Sequence, residues 1–244
     1  MRNIKKLSLI LPAYNEESII EDTLRTALDF AEKSFPDDYE IIFVNDGSSD
    51  ATHEILSNFV SENVKIISYE KNMGKGYAVR RGFLAAENEY IVFTDSDLAY
   101  GLDIVREFVS AMEKDEKCGG AIGSRSLHKE GYGGYGFIRR FASKTFLFFL
   151  KFAGGLKFSD SQTGIKGFKH RQAKEIFNAC EENRWAFDFE LLLTAQALDI
   201  DIIEIPVKII NHRDSKVSLL KDSFKMAGDL IKIKKKIKTK KLGQ

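Results

Sequence analysis

Patterns typical of β-strands and of α-helices alternate along the first half of the chain. Short runs of apolar, β-branched and aromatic residues are each followed by a longer stretch with apolar residues at helical spacing. Such alternation predicts an α/β fold, in which a largely parallel sheet carries helices on both faces. The predicted strands cover residues 7–11, 40–44, 64–69, 90–93 and 119–123, and a last strand covers residues 202–206.

Polar residues after these strands predict where the helices begin. Asn15 is expected to cap a first helix that runs to about residue 33, because its side chain can accept from a free helical N–H. Ser49 or Asp50 is expected to cap the second helix for the same reason. Another helix is predicted after the turn at residues 72–76, and a final helix covers roughly residues 218–233.

Two aspartates separated by one residue follow the fourth predicted strand. Asp95 and Asp97 come directly after residues 90–93, and ligands bind at the carboxyl ends of strands in open α/β sheets. Neighbouring carboxylates repel each other and lose hydration unless a positive group holds them. A divalent cation shared with a phosphate-bearing ligand suits this pair, since hard cations prefer oxygen ligands. The alternative is an aspartate that only caps the next helix.

The loops after the first three predicted strands are polar or rich in glycine as well. Residues 12–16 (PAYNE), 45–48 (NDGS) and 72–76 (NMGKG) follow these strands in order. Because parallel strands end at one edge of a sheet, the four turns together predict a nucleotide site. There is no GxGxxG at the first βα turn and no GxxxxGK[ST] loop, so the diphosphate is expected to be held through a metal.

The length and the charge distribution predict one main domain with a basic tail. A chain of 244 residues, of which 43% are hydrophobic, can bury one substantial core. We assign residues 1–216 to this domain, with a nucleotide half to about residue 124, and residues 217–244 to a C-terminal helix and tail. Residues 232–241 contain seven lysines and no acid, whereas the remainder has 30 basic and 36 acidic residues. The tail predicts contact with an anionic surface, but the acidic body argues against nucleic acid.

Other classes of site find little support in the sequence. Cys118 and Cys180 stand alone, which predicts a reducing compartment, and the four histidines are scattered, so no zinc site is expected. We expect no signal peptide and no membrane span, because no apolar run reaches the roughly 18 residues that a span needs. Residues 137–153 predict a helix with a cationic stripe and several phenylalanines. This helix either faces the core or lies in a membrane interface.

Seven short motifs follow one another in order: PAYNE, VNDGSSD, NMGKG, TDSDLA, GSR, DSQTGIKGF and RWAFDFELL. The ordered set, from residue 7 to about residue 231, resembles the family 2 glycosyltransferases. Within them it is most similar to the polyprenyl-phosphate glycosyltransferases, especially the dolichyl-phosphate β-glucosyltransferases. The resemblance implies the GT-A fold, which is a Rossmann-like, mostly parallel sheet with helices on both faces, and a nucleotide-sugar donor.

The resemblance also implies roles on the donor side. Asp46 accepts a hydrogen bond from the nucleotide base, with a helix cap as the alternative role. Asp95 faces the nucleoside and joins Asp97 in holding Mg²⁺ or Mn²⁺ against the diphosphate, and Asp97 is the catalytic metal ligand. Lys75 approaches the base or the phosphate, unless it is a solvated surface lysine. The remaining nucleotide-binding residues are Pro12, Ala13, Tyr14, Glu16 and Ser96.

On the acceptor side, the resemblance implies that Arg125 and Arg139 bind the phosphate of a polyprenyl phosphate. Guanidinium groups suit this task because they bind phosphate in a bidentate manner. Asp160, or else Asp188, orients or deprotonates the acceptor, although each could instead be a structural cap or a salt-bridge partner. A phosphomonoester has a second pKa of about 6, so a strong base is less necessary than for a hydroxyl acceptor.

Two departures from the family pattern shape the expected reaction. Ala99 stands where the mannosyltransferase branch has a glutamine metal ligand, which favours glucose over mannose. We expect no N-terminal membrane anchor of the kind that the dolichyl-phosphate enzymes carry. Attachment to the cytoplasmic face of a membrane is therefore expected through residues 137–153 and the lysine-rich tail, at about 1 kcal/mol per basic residue.

These observations predict an inverting, metal-dependent enzyme that moves a hexose, glucose from UDP-glucose, onto a polyprenyl phosphate. Two alternatives remain open. The first is a family 2 enzyme that acts on a saccharide or a protein, and the second is a non-catalytic module that docks on a membrane and binds nucleotide sugars.

Overall fold

Seven strands form one sheet, in a computed structural model that describes residues 7–36, 38–132, 155–184, 186–211, 230 and 232–237. The strands are β1 (Leu7–Ala13), β2 (Tyr39–Asn45), β3 (Val64–Ser68), β4 (Tyr90–Thr94), β5 (Cys118–Ser124), β6 (Ile165–Lys169) and β7 (Asp201–Pro206). Their order across the sheet is β3-β2-β1-β4-β6-β5-β7. The described helices are α1 (Ile20–Ser34), α2 (Thr52–Ser57), α3 (Lys75–Ala85), α4 (Asp103–Lys114), α5 (His170–Ala179) and α6 (Phe187–Ala197).

One antiparallel strand interrupts an otherwise parallel sheet. β1 pairs in parallel with β2 and β4, as do β2 with β3 and β5 with β7. β6 lies antiparallel between β4 and β5, with Thr94 opposite Ile165. The carboxyl ends of β1, β2, β4 and β5 therefore share one edge of the sheet with the start of β6.

The sheet has a hydrophobic core on each face, because successive side chains of a strand point to opposite sides. Leu9 packs in the core formed with α1, α2 and α4, whereas its neighbour Ile10 packs in the core formed with α3, α5 and α6. In α1 the buried residues recur every three or four positions, as expected for a helix that packs one face on a sheet. They are Ile20, Thr23, Leu24, Ala27, Phe30 and Ala31.

The predicted α/β fold with a mostly parallel sheet is confirmed. Each of the six predicted strands is present, with bounds within two residues of the expected ones. The sequence patterns did not indicate β6, α5 or α6, which lie in the second half of the chain. β6 explains why the sheet is mixed, since it enters between two parallel neighbours.

The predicted helix caps are partly wrong. α1 begins at Ile20, five residues after Asn15, and Asn15 has a φ of 52°. Its side-chain oxygen accepts instead from the Ser49 N–H at 2.8 Å. Asn15 therefore bonds to the loop after β2 and does not cap α1. The N-cap position of α2 is Ala51, and Asp50 supports the helix start from one residue earlier by accepting from the Thr52 N–H at 3.0 Å.

Several predictions fall outside the described residues. These are the helix at 137–153, Arg139 and most of the final helix and tail. Residues 232–237 are helical, and Ile233 is buried in the core beside α6. Among the helices that the structure describes, none has the length and apolar character to cross a membrane.

Candidate functional site

Asp95 and Asp97 lie at the carboxyl edge of the sheet, in the turn that follows β4. The Asp95 N–H donates to the carbonyl of Gly164, just before β6, at 3.1 Å. The Asp97 carboxylate accepts from the Ala99 N–H at 3.1 Å, and Leu98 between them has a φ of 47°. This tight turn keeps both carboxylates at the edge that the first four strands share.

Lys75, the first residue of α3, forms an ion pair with Asp95. Its Nζ lies 2.6 Å from Oδ1, and the two side chains are 20% and 30% exposed. Burial alone lowers the pKa of Lys75, but the carboxylates of Asp95, Asp188 and Asp97 outweigh it, so the pKa is raised. Lys75 is thus a cation beside the two acids and not a solvated surface lysine.

Gly164 leaves no space for a side chain next to Asp95. A Cβ at this position would overlap the Asp95 carboxylate far inside normal contact distance. The backbone of the DSQTG motif therefore packs directly on the acid, and a larger residue here would displace it.

The Asp46 carboxylate is occupied by donors from the chain itself. One oxygen accepts from the Tyr69 hydroxyl and the Met73 N–H, each at 2.8 Å, and the other from Asn72 Nδ2 and the Gly74 N–H, each at 3.0 Å. Burial and the Asp46 charge raise the pKa of Tyr69, which keeps its hydroxyl a donor. Four bonds use the acceptor capacity of a carboxylate.

Asp46 thus does not cap α2, the helix that follows it. Its carboxylate holds the turn before α3, including the N–H of Gly74, the N-cap residue of that helix. The base contact implied for Asp46 stays a prediction. It would require the base to displace one of the four internal donors.

Two backbone carbonyls at the end of β1 accept hydrogen bonds from the loops after β4 and β2. The carbonyl of Pro12 accepts from the Ser96 hydroxyl at 2.7 Å, and that of Ala13 accepts from the Asp46 N–H at 2.8 Å. The Ser96 side chain therefore points to β1, and this bond aligns the loop after β4 with the loop after β1.

The following residues connect the same loop to the loop after β2. The Asn15 N–H donates to the Ser48 hydroxyl at 3.0 Å, and the Glu16 N–H donates to the Thr52 hydroxyl at 2.8 Å. The Tyr14 side chain is 42% exposed. Loops that are more than thirty residues apart in the sequence thus form one continuous surface, at which the Tyr14 side chain is exposed.

On the other side of β4, Arg125 and Asp160 form a buried ion pair. Nε and a terminal nitrogen of Arg125 donate to the two Asp160 oxygens at 2.8 and 2.9 Å, and the side chains are 8% and 4% exposed. Burial raises the pKa of Asp160, but the Arg125 charge and hydrogen bonds outweigh it, so the pKa lies below the ordinary value. The ring of Tyr132 lies 5.4 Å from the guanidinium carbon.

Asp188, near the start of α6, forms an ion pair with Lys166 of β6. Lys166 Nζ lies 2.6 Å from Asp188 Oδ1, and the Lys166 side chain is fully buried. Burial raises the pKa of Asp188 although the charges of Lys166 and Lys75 oppose it. Both candidate acceptor-side acids, Asp160 and Asp188, are thus salt-bridge partners, which was the alternative reading of each.

Sequence reasoning missed Lys166, Gly164 and Tyr69 as parts of the site. The one sequence signal was Lys166 itself, a charged residue inside the short apolar run that follows DSQTG. The structure brings Asp95, Asp97 and Lys75 together as the sequence predicted. Arg125 lies with Asp160 on the other side of β4, and its contact with an acceptor phosphate stays a prediction.

The described part of the basic C-terminal segment contacts α6 and the loop before it. Lys236 Nζ lies 2.7 Å from a Glu181 oxygen and 3.3 Å from a Glu190 oxygen. The other oxygen of Glu190, which is buried, accepts from the N–H groups of Glu181 and Glu182 at 2.7 and 2.5 Å. These residues and two more of the C-terminal segment line a cavity of about 230 Å³.

Residues 8–177 match the family described as Glycosyl transferase family 2. The chain belongs to this family. The predicted enzyme class is therefore confirmed, and the geometry above is that of a family 2 glycosyltransferase.

Named relatives extend over nearly the whole chain. A dolichyl-phosphate β-glucosyltransferase of Dictyostelium discoideum is 32% identical over 240 residues, which cover 93% of this chain and 73% of the relative. The enzyme of that name from Saccharomyces cerevisiae is 33% identical over 246 residues, covering 93% and 74%. The predicted resemblance to this type of family 2 glycosyltransferase is confirmed.

Solved structures agree on the fold. Glucosyl-3-phosphoglycerate synthase from Mycobacterium tuberculosis, in complex with phosphoglyceric acid, superposes with a TM-score of 0.68 at 20% identity, over 94% of this chain and 78% of that one. The same enzyme in complex with Mn²⁺, uridine diphosphate and phosphoglyceric acid gives 0.66 at 20% identity, over 93% and 76%. The GT-A-like fold expected for this family 2 glycosyltransferase is thereby confirmed.

The residues after β4 fit a divalent cation held jointly with a ligand. Asp95 and Asp97 offer carboxylate oxygens, the donors that Mg²⁺ and Mn²⁺ prefer, and the Asp95 side chain is 30% exposed. Within the described ranges there is no group of three or more His, Cys, Asp or Glu side chains placed to hold a metal. One or two protein carboxylates completed by substrate phosphates is the usual arrangement for Mg²⁺.

Proposed function

We propose that this family 2 glycosyltransferase transfers glucose from UDP-glucose to a polyprenyl phosphate such as dolichyl phosphate. We infer inversion at the anomeric carbon and dependence on Mg²⁺ or Mn²⁺. The grouping of Asp95, Asp97 and Lys75 at the shared edge carries the proposal, since it offers hard oxygen ligands and a cation side by side. The identity to named dolichyl-phosphate β-glucosyltransferases supports the choice of donor sugar and acceptor.

The donor is bound between the loops after β1, β3 and β4. The exposed ring of Tyr14 offers a surface for the base, and Asp95 and Asp97 would hold a divalent metal, which would supply positive charge to the diphosphate. Lys75 adds a second positive charge on the same side. Lys75 and such a metal would thus place positive charge where negative charge develops on the departing diphosphate.

The reaction is a single displacement. An oxygen of the acceptor phosphate forms a bond to the anomeric carbon, the bond from that carbon to the diphosphate breaks, and UDP leaves with the electron pair. An acceptor phosphate with a second pKa of about 6 is mostly ionised near neutral pH, so no residue has to remove a proton.

Asp160 then acts by orientation and not as a base. Its pKa is held low by Arg125, so it stays ionised and fixes the direction of the guanidinium. The planar fork of an arginine aligned in this way suits the binding of a phosphate.

A transfer assay tests the proposal. We expect the protein to move labelled glucose from UDP-glucose to a polyprenyl phosphate, to stop when EDTA is added, and to recover with Mn²⁺ or Mg²⁺. GDP-mannose and a polyprenol without the phosphate are expected to be poor substrates. Transfer that persists in EDTA would contradict the metal role, and preference for a saccharide or protein acceptor would contradict the lipid acceptor.

A matched pair of variants makes the assay specific. Asp97→Asn is expected to lower kcat by roughly 10²–10³-fold, as expected when electrostatic stabilisation of the transition state is lost. Asp103→Asn, an exposed aspartate at the start of α4, serves as the control and is expected to leave kcat unchanged.

We also propose that the enzyme works at the cytoplasmic face of a membrane. A lipid acceptor requires a membrane surface, and the lysine-rich tail and the sequence of residues 137–153 are suited to an anionic one. The protein is expected to sediment with vesicles that contain anionic lipid, less at high salt, and not with neutral vesicles. Equal binding to both kinds of vesicle would contradict an electrostatic contact.

A further inference from the structure

Lys166 is a charged side chain with no exposed surface. Its Nζ donates to the carbonyl of Thr163 at 2.7 Å, lies 2.6 Å from Asp188 Oδ1, and is 5.7 Å from the centre of the Phe93 ring. Taking an ion pair out of water costs several kcal/mol per ion, and replacing it by apolar residues is often neutral or stabilising. Stability alone therefore gives a weak reason for a lysine at this position.

The partner of Lys166 lies where two helices meet. Asp188 is the second residue of α6, and α6 starts against the first turn of α3. The Tyr77 N–H of that turn donates to the Asn183 carbonyl at 3.1 Å. A Cβ on Gly76 would lie only 2.5 Å from the Phe187 Cβ, so the two backbones pack without an intervening side chain.

This packing brings the buried pair next to the donor-side pair. Lys75 begins α3 and pairs with Asp95, and Lys75 and Asp188 are next in sequence to Gly76 and Phe187, where the two backbones meet. In this arrangement the charges of both Asp95 and Asp188 favour the charged form of Lys75. The four residues thus form a series of alternating charge from the core to the site, in the order Lys166, Asp188, Lys75, Asp95.

We propose that Lys166 is a positioning residue for the donor site, which acts through Asp188 on Lys75 and so on Asp95. It holds the Asp188 carboxylate in the place from which this carboxylate orients the Lys75 ammonium. The inference rests on the proposed function only in that Lys75 and Asp95 bind a nucleoside diphosphate.

A double-mutant cycle with Lys166→Met, Asp188→Asn and the double variant tests this route. The readout is the affinity for UDP and, in parallel, GDP, each measured by calorimetry with Mn²⁺. We expect each single variant to bind the preferred nucleotide about tenfold more weakly, and the double variant to be no weaker than the singles, because the two residues act in series. Effects that multiply in the double variant would overturn the proposal.

Lys174→Met is the matched control. Lys174 is also a lysine that bonds to backbone carbonyls, those of Phe83, Leu84 and Ala86, at the opposite end of α3. We expect this variant to lose stability without a change in nucleotide affinity. Equal losses of affinity in Lys174→Met and Lys166→Met would show a general structural effect and overturn the proposal.

A variant that replaces the buried pair by apolar residues covers the case in which Lys166→Met does not fold. Lys166→Met combined with Asp188→Leu removes both charges, and we expect this variant to fold because replacing a buried ion pair by apolar residues is often neutral or stabilising. We expect wild-type-like stability, a raised KM for UDP-glucose and an unchanged KM for the polyprenyl phosphate. Recovery of the wild-type KM for the donor together with stability would overturn the proposal.

The two hypotheses fail in different ways. If the wild type binds UDP with Mn²⁺ but transfers no sugar to a polyprenyl phosphate, the proposed function fails while the cycle on nucleotide binding still decides the role of Lys166. If transfer proceeds as proposed and Lys166→Met binds nucleotide like the wild type, only the role of Lys166 is wrong. A wild type that binds neither nucleotide would overturn both.

Discussion

The ion pairs on the two sides of β4 differ in how much water reaches them. Lys75 and Asp95 are 20% and 30% exposed and share one contact of 2.6 Å, whereas Arg125 and Asp160 are 8% and 4% exposed and are joined in a bidentate manner. A partly exposed pair can exchange one partner for a ligand at small cost, because both ions stay partly hydrated. A buried bidentate pair cannot, since separating it leaves a charge without a partner in the core.

The comparison indicates that the Lys75–Asp95 pair can open to a ligand, whereas Arg125 can meet the proposed acceptor phosphate only while it stays bound to Asp160. The backbone N–H of Arg125 also donates to Asp160, at 3.2 Å, so this pair fixes the chain after β5 to the segment before β6. On the donor side the corresponding task falls to Asp46, Ser96 and Gly164, and Lys75 and Asp95 are left to meet the substrate.

The largest effect is expected from Arg125→Met. Removing one partner leaves the Asp160 carboxylate buried alone, which costs about 3–5 kcal/mol of the free energy of unfolding. Lys75→Met, the matched change in the exposed pair, is expected to cost no more than about 1 kcal/mol. Urea unfolding of both variants measures the difference, and equal losses would remove the distinction between the two pairs.

Acid is expected to reveal the same buried pair. The pKa of Asp160 is lowered in the folded state from an ordinary value of 3.8, so its contribution to stability is complete above this value and is lost as the pH falls through the lower folded-state pKa. Asp160→Asn is therefore expected to be less stable than the wild type near neutral pH. The gap should narrow below about pH 4, and a gap that widens in acid would contradict the ion pair.

Asp95→Asn is expected to affect activity and to spare the fold. Losing this carboxylate removes a metal ligand and the partner of Lys75, and we expect kcat/KM for UDP-glucose to fall by roughly 10²–10³-fold. The free energy of unfolding should change by about 1 kcal/mol or less, because the pair is partly exposed. A stability loss as large as that of Arg125→Met would contradict the assignment of Asp95 to ligand binding.

Gly164→Ala is expected to have a smaller effect at the same place. The added Cβ collides with the Asp95 carboxylate, which has to turn away from the metal position. We expect the KM for UDP-glucose to rise about tenfold, a change of about 1.4 kcal/mol. Ser161→Ala, a change in the same segment, is expected to leave the KM as it is.

The smallest effect is expected from Lys236→Met. Lys236 is 30% exposed and pairs at 2.7 Å with Glu181, which is 63% exposed, so this ion pair is screened by solvent. The more distant Glu190, at 3.3 Å, is buried but keeps two backbone N–H donors when Lys236 is removed. The loss of stability should stay within about 1 kcal/mol. Lys234→Met, at an exposed position of the same helix, is the control, and a loss of several kcal/mol in Lys236→Met alone would show that the tail is part of the core.

The first half of the fold was predictable from sequence because its strands are buried on both faces and read as continuous apolar runs. β1, β2 and β4 are of this kind. β6 was missed because Lys166 interrupts its apolar pattern, and Lys166 is buried only through its partner on a distant helix. α6 was missed as a helix because buried residues surround it, which removes the helical period.

The sequence motifs predicted which residues lie at the site, but not which hydrogen-bond partners those residues have. The sequence placed Asp95, Asp97 and Lys75 together because parallel strands end at one edge. It did not show that Asn15 bonds to the loop after β2, or that the oxygens of Asp46 are taken by the turn before α3. These hydrogen bonds join residues that are far apart in the sequence and come within bonding distance only in the folded chain.

The hydrogen bonds of Asp46 have a consequence for how a nucleotide meets the protein. Since Tyr69, Asn72, Met73 and Gly74 are bound to one carboxylate, the turn before α3 is preorganised by the chain itself. A ligand that arrives there does not have to restrict the backbone, which would oppose binding by roughly 1–2 kcal/mol for each residue ordered. The conformational entropy of this turn is lost when the protein folds. The contacts of the nucleotide therefore contribute to its affinity without the entropic cost of ordering the turn on binding.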